Sequence, residues 1–192
     1  MVGREETATA QQVTFDPGSQ LDYPKGAEVT TIKDMLDASV FEIADNESAN
    51  LHEHGECFRN SKAWGDHLVK TSTPVMMTNV MNNDINQHIQ DKVQQLIGDY
   101  NTRSVYQYWP VGSYIPWHGD GLHKAALTIY LSQHGVDDGG YFMYDDGKGI
   151  KAIRPVPNRA VFVTGGIYHT VTTVNHGSAL RRTIQVWLQD PS

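Results

Sequence analysis

From Asn101 onward the chain breaks into short runs rich in Val, Ile, Thr, Tyr and Trp, separated by Gly, Pro, Asn and Asp. About eight runs can be placed, near residues 103–109, 112–118, 125–132, 140–145, 150–154, 159–164, 168–174 and 180–189. Runs of this length and composition read as β-strands. The stretches between them are too short for crossover helices, so the pairing is expected to be mostly antiparallel. Eight such strands predict a mainly β fold with flanking helices, a sandwich or barrel of the jelly-roll kind.

The first half reads differently. Residues 1–25 mix Gly, Pro, Gln and Thr and read as a loose N-terminal arm, with one strand around Gln12–Phe15. Residues 26–100 read as helical and strand support. Helical character is expected around Ile32–Ala38, and a polar loop from Asp45 to about Glu56. The clearest helix runs from about Asn83 to Tyr100, where Ile85, Ile89, Val93, Leu96 and Ile97 recur at three- and four-residue spacing. Asn83 or Asp84 can cap its start, and Gly98 lies near its end. Residues 101–190 then form the jelly-roll core. With no internal repeat, 1–192 reads as one domain.

Composition excludes several function classes. Apolar residues make up 39% of the 192, enough for a core, and the longest apolar runs are far too short to span a bilayer. The N-terminus leads into no apolar stretch, so no secretory signal is read. A single cysteine, Cys57, excludes an intramolecular disulfide and agrees with a reducing compartment, so a soluble cytoplasmic protein is expected. The net charge of -7 gives no general attraction to a polyanion and argues against nucleic acid as partner. Oligomeric state is not legible.

The sharpest local feature is Pro116-Trp-His-Gly-Asp120. On a strand, His118 and Asp120 leave from the same face, and Gly119 removes bulk from the other. A second run, Gly165-Gly-Ile-Tyr-His169, opens another strand about fifty residues later. If His169 faces the same interior, two imidazoles and one carboxylate converge. That facial set suits iron(II) and leaves coordination positions open for substrate and oxygen. A cation accompanies it in Leu180-Arg-Arg-Thr-Ile-Gln-Val-Trp-Leu188. A buried guanidinium needs an anion, which a dicarboxylate provides through a bidentate pair. Strand parity groups Arg181 with Thr183, Gln185 and Trp187, and Arg182 with Ile184, Val186 and Leu188. Both sets are mixed, so parity does not choose between the arginines.

Residues 83–189 resemble the 2-oxoglutarate- and iron(II)-dependent dioxygenases, in particular the prolyl-4-hydroxylase-like branch. The elements that carry the resemblance are Val105-Tyr-Gln-Tyr108, His118-Gly-Asp120, Ile129-Tyr-Leu131, Gly139-Gly-Tyr141, Pro155-Val-Pro-Asn158, His169 and Arg181-Arg-Thr183, in the family's order. The resemblance implies a double-stranded β-helix, cupin-like core. It implies His118, Asp120 and His169 as metal ligands and Arg181 as the partner of the 2-oxoglutarate carboxylate. Thr183, Tyr130 and Tyr108 are implied to reach that cofactor. The implied cofactors are Fe(II), 2-oxoglutarate and O2, with ascorbate admitted as reductant. The implied reaction is hydroxylation of an aliphatic C–H bond, with a prolyl residue in a protein or peptide as first reading. A carboxylate at position 120 favours hydroxylation over the halogenation of related enzymes that carry Gly or Ala there.

Other substrates stay open: a free amino acid, another small metabolite, or a nucleic-acid base. So do a cupin-like metalloprotein without keto-acid chemistry and a non-enzymatic binding module. Trp109, Tyr114, Trp117, Tyr141, Tyr144 and Trp187 are expected to crowd the mouth. Cys57-Phe-Arg-Asn-Ser61 looks like a strand near the substrate entrance, where Arg59 can hold an acidic group. His52 and His54 form an H-x-H pair in the polar loop. His123 lies near the H-x-D turn, His134 and His176 fall in loops and are expected in solvent, and His88 lies on the helix rim.

Overall fold

A computed structural model describes residues 28–57, 75–120, 124–175 and 180–191. The N-terminal arm, the run 58–61 with Arg59, His123 and His176 lie outside the described residues. Ten strands are described: β1 Val29–Ile32, β2 Met76–Asn79, β3 Asn101–Trp109, β4 Ile115–His118, β5 Ala125–Tyr130, β6 Phe142–Asp145, β7 Ile150–Ile153, β8 Ala160–Thr164, β9 His169–Val171 and β10 Arg181–Gln189. Two helices, α1 Ala38–Glu53 and α2 Asn83–Leu96, and a 3-10 turn at Val136–Asp138 complete the order.

Every strand pair is antiparallel. One sheet runs β1-β8-β5-β10-β3-β2 and the other β4-β9-β6-β7. Successive strands from β3 to β10 are thus dealt between two facing sheets, which is the jelly-roll arrangement. All eight expected strands form, and β1 and β2 add an edge on each side of the larger sheet.

The larger sheet is buried on both faces. On one, Tyr106, Tyr108, Leu127, Ile129, Ile184, Val186 and Leu188 pack against α1 and α2, with Ile85, Ile89 and Val93 of α2 fully buried. Burial of an aliphatic side chain stabilises by about 1.5–3 kcal/mol, so three such residues fix α2 on the sheet. On the other face, Ala126, Tyr130, Val161 and Val163 meet Phe142 of the smaller sheet. No helix among the described residues is long and apolar enough to cross a membrane.

Three local expectations are corrected. The run Val29–Ile32 is a strand paired with β8, and Asp34, with φ 50°, breaks the chain before Met35 and Leu36 enter the core. Residues 45–53 continue helix α1 and are not a loop. Helix α2 stops at Leu96, and its cap is Asn82, whose side chain accepts a hydrogen bond from the Asp84 N–H at 2.9 Å.

Candidate active site

The H-x-D run lies where β4 meets β9. Ile115 pairs with Val171 and His118 with His169, so β4 carries one extra residue between the two pairings. Simple alternation puts Ile115 and His118 on opposite faces. The bulge turns His118 back to the interior side with Ile115. Trp117 and Tyr168, each preceding a histidine, stack together with centroids 5.8 Å apart and planes 9° apart.

His118 Nε2 lies 3.6 Å from Asp120 Oδ1, and His169 Nε2 lies 3.7 Å from Asp120 Oδ2. One donor atom from each of the three residues falls within 4.8 Å of the others. The remaining ring nitrogens are held by backbone. His118 Nδ1 is 2.8 Å from the Pro116 carbonyl and His169 Nδ1 is 2.9 Å from that of Ile167. A carbonyl only accepts, so each Nδ1 carries the proton and each Nε2 offers a lone pair. That is the tautomer a metal needs. Burial, then the neighbouring His169, pushes the His118 pKa down to about 4, so its imidazole is neutral at ordinary pH. Phe142 stacks on His169 at 5.1 Å and fixes that ring from the side. Among the described residues this is the one group of acidic, His or Cys side chains placed to hold a metal ion.

Arg181 is 1% exposed, and its Nε and Nη1 have no hydrogen-bond partner among the described residues. Its guanidinium lies over Trp109 at 4.5 Å and over Tyr130 at 5.3 Å. Cation–π contacts are worth about 0.5–2 kcal/mol each, whereas burying an unpaired ion costs several kcal/mol. The pocket therefore favours an anion. The Tyr130 hydroxyl is buried and also unpartnered. Burial raises its pKa, so it stays a hydrogen-bond donor. A chain of contacts joins this cation to the histidines, because Tyr130 and Phe142 share one cluster and Phe142 touches His169.

Glycines make room for the cation. At Gly140, with φ 66°, a Cβ would stand 2.8 Å from Arg181 Cδ, and at Gly139 it would overlap the Thr173 carbonyl. The Gly-Gly run is thus a close approach of backbone to the arginine stem. Asn158 has a different task. With φ 58°, its side chain accepts from the Leu36 N–H at 2.8 Å and donates to the Leu36 carbonyl at 2.7 Å. The P-x-x-N turn docks the segment entering α1 onto the end of β5.

No protein-family model and no curated sequence matches the chain. Solved structures do. The prolyl-4-hydroxylase of Pseudomonas putida superposes with a TM-score of 0.68 at 15% identity, over 87% of this chain and 95% of that one. A Trichoplax adhaerens prolyl hydroxylase, in complex with a hypoxia inducible factor peptide fragment, gives 0.68 at 16%, over 84% and 83%. The non-haem α-ketoglutarate-dependent epimerase of nogalamycin biosynthesis gives 0.65 at 14%, over 86% of this chain and 79% of that one. The fold is that of the 2-oxoglutarate–iron(II) oxygenases.

Within that oxygenase fold, the sequence-predicted residues divide. His118, Asp120 and His169 come together, and Arg181, Tyr130 and Thr183 line the same interior face of the larger sheet. Tyr108 does not join them. It faces the helices, donating its O–H to the Ser48 carbonyl at 2.9 Å with its ring against His52. Alternation along β3 instead presents Trp109, one residue on, to Arg181. Trp109 Nε1–H also reaches Thr183 Oγ1 at 3.4 Å. The pairing of Arg181 with Trp109 across β3 and β10 was the missing signal, and it is visible only once the register is known.

Arg182, on the opposite face, pairs with Asp45 of α1 at 2.8 Å. The expected aromatic mouth disperses: Trp109 lies by Arg181, Trp117 stacks on Tyr168, Tyr141 donates to the Val136 carbonyl, Tyr144 packs beside Phe142, and Trp187 lies under Arg103. His52 and His54 lie at the end of α1 and form no metal group, and His88 accepts from the Asp37 N–H at 3.2 Å. His134, expected in solvent, is buried.

Proposed function

We propose that the protein is an iron(II)- and 2-oxoglutarate-dependent oxygenase that hydroxylates an aliphatic C–H bond, with a prolyl residue of a peptide or protein as substrate. The observation that carries this reading is a two-histidine, one-carboxylate set beside a buried guanidinium with no anion of its own among the described residues. His118 Nε2, His169 Nε2 and the Asp120 carboxylate would hold the metal. Arg181 and Tyr130 would hold the far carboxylate of the keto acid, with Trp109 and Thr183, whose hydroxyl donates to Gln107 Oε1 at 3.4 Å, as its wall. Bound there, these groups supply, with O2, the oxidative decarboxylation that gives succinate and carbon dioxide and delivers one oxygen atom to substrate. The chain's own contribution is to keep the His118 imidazole neutral, orient both imidazoles through Nδ1, and exclude water from the cation.

The prolyl reading is supported by the prolyl hydroxylases among the similar structures, one of them in complex with a peptide. A small-molecule substrate is the second reading, supported by the same fold in an epimerase of nogalamycin biosynthesis. A metalloprotein without keto-acid chemistry leaves the unpartnered Arg181 without a purpose.

The test is turnover of 2-oxoglutarate to succinate by the anaerobically purified protein, supplied with iron(II), oxygen and ascorbate, with candidate peptides and metabolites. Asp120→Ala is expected to abolish metal-dependent turnover, and Arg181→Ala chiefly to raise the 2-oxoglutarate requirement. If neither substitution alters 2-oxoglutarate binding, the assignment is wrong. A peptide library read for the mass gain of one oxygen atom separates the two substrate readings.

A further inference from the structure

His134 lies between β5 and β6, in the segment that leads to the Gly-Gly run. It is 1% exposed, and neither ring nitrogen has a hydrogen-bond partner among the described residues. Native proteins seldom leave a buried imidazole idle at both nitrogens. Its surroundings point to the anion pocket. Burial and then the charge of Arg181 hold its pKa down, while Asp138 and the Gly139 backbone oppose them. The ring is therefore neutral, with one N–H to donate. Gly140, next to Gly139, is the position that gives way to the Arg181 stem. Arg181, Tyr130 and His134 are thus three fully buried side chains, and among the described residues Arg181 Nε and Nη1, the Tyr130 hydroxyl and both His134 nitrogens lack hydrogen-bond partners.

We infer that His134 is a third anchor of the dicarboxylate pocket, its imidazole N–H donating to the remote carboxylate held by Arg181 and Tyr130. A carboxylate has about four lone-pair sites. A guanidinium edge fills two and a tyrosine hydroxyl one, which leaves one for the imidazole. This inference rests on the reading of the site as a 2-oxoglutarate site. It assigns His134 a binding and positioning role, with no part in proton transfer.

The test is calorimetric binding to the full chain, anaerobic and loaded with iron(II), for the wild type, His134→Leu and His134→Gln. The probes are 2-oxoglutarate and pyruvate, a keto acid that lacks the remote carboxylate. His134→Leu should weaken 2-oxoglutarate about tenfold or more, the loss of one hydrogen bond to a charged group. His134→Gln, which keeps an N–H donor, should recover most of the affinity. Pyruvate should bind all three alike. Without keto acid, His134→Leu should melt no lower than the wild type, because it removes an unsatisfied buried group. If the Leu variant cannot be purified, His134→Phe, which keeps a ring, reads the same outcome.

Wild-type affinity for 2-oxoglutarate in the Leu or Phe variant overturns the inference. So does an equal loss of 2-oxoglutarate and pyruvate with a lower melting temperature, which marks a packing role. A wild type that binds no 2-oxoglutarate overturns the underlying reading, and the inference with it.

Discussion

Two tyrosines two strands apart have opposite fates, and the difference is testable. Tyr130 is unpartnered beside Arg181, whereas Tyr108 spends its hydroxyl on Ser48. Tyr130→Phe is expected to weaken 2-oxoglutarate binding several-fold with little change in stability. Tyr108→Phe is expected to leave that affinity unchanged and to lower stability by about 1 kcal/mol, the worth of one hydrogen bond. Paired calorimetry and denaturant melts check both. His118 gives a pH prediction for the metal-free protein. Above the ordinary imidazole pKa, near 6.5, folded and unfolded chains both carry it neutral. Between there and about 4 only the unfolded chain takes up the proton, so this group lowers stability as pH falls through that window and adds no further loss below it. Melts of the metal-free protein should show this limb reduced in His118→Gln. The three candidate ligands stood out in the sequence because their residue types are rare in combination, whereas Arg181 was chosen over Arg182 only through the resemblance, since strand parity left both open; the structure buries Arg181 and pairs Arg182 with Asp45. Tyr108 was misread because a resemblance fixes order along the chain, while the direction of a side chain depends on strand parity.

Among the elements, the eight core strands were legible from β-branched and aromatic runs between short breaks. Helix α1 was not, since its buried residues are only Ala44 and Ser48, with Val40, Phe41 and Leu51 partly covered. So thin an apolar stripe, in a sequence of Asn, Glu and His, leaves little periodicity to read. The helix is held instead by polar contacts. Glu47 accepts from the N–H groups of Met81 and Asn82 at 3.1 and 3.0 Å and from the Tyr106 hydroxyl at 2.7 Å. It therefore ties α1 to the start of α2 and to β3. Glu47→Ala should cost about 2–3 kcal/mol, since hydrogen bonds to a charged group are the stronger ones. Keto-acid affinity should change little, because these contacts lie on the helix side of the sheet. The bulge in β4 was equally hidden. Nothing in Ile115-Pro-Trp-His118 announces an extra residue, yet without it His118 would face away from His169.

At the scale of the molecule, two sheets of one jelly roll bring together groups that are distant in sequence. The smaller sheet carries the histidines, and the larger carries Arg181, Tyr130 and Trp109. The central claim is that these are one site, in which metal and dicarboxylate bind together. Binding of a keto acid that bridges both halves must then be coupled to the metal, and the coupling must be reciprocal. The direct measurement is anaerobic calorimetry of 2-oxoglutarate with and without iron(II), in the wild type and in Asp120→Ala. Iron(II) should tighten 2-oxoglutarate binding at least tenfold in the wild type, a coupling of about 1.4 kcal/mol or more, and should have little effect in Asp120→Ala. An affinity for 2-oxoglutarate that is the same with and without iron(II) would contradict the account.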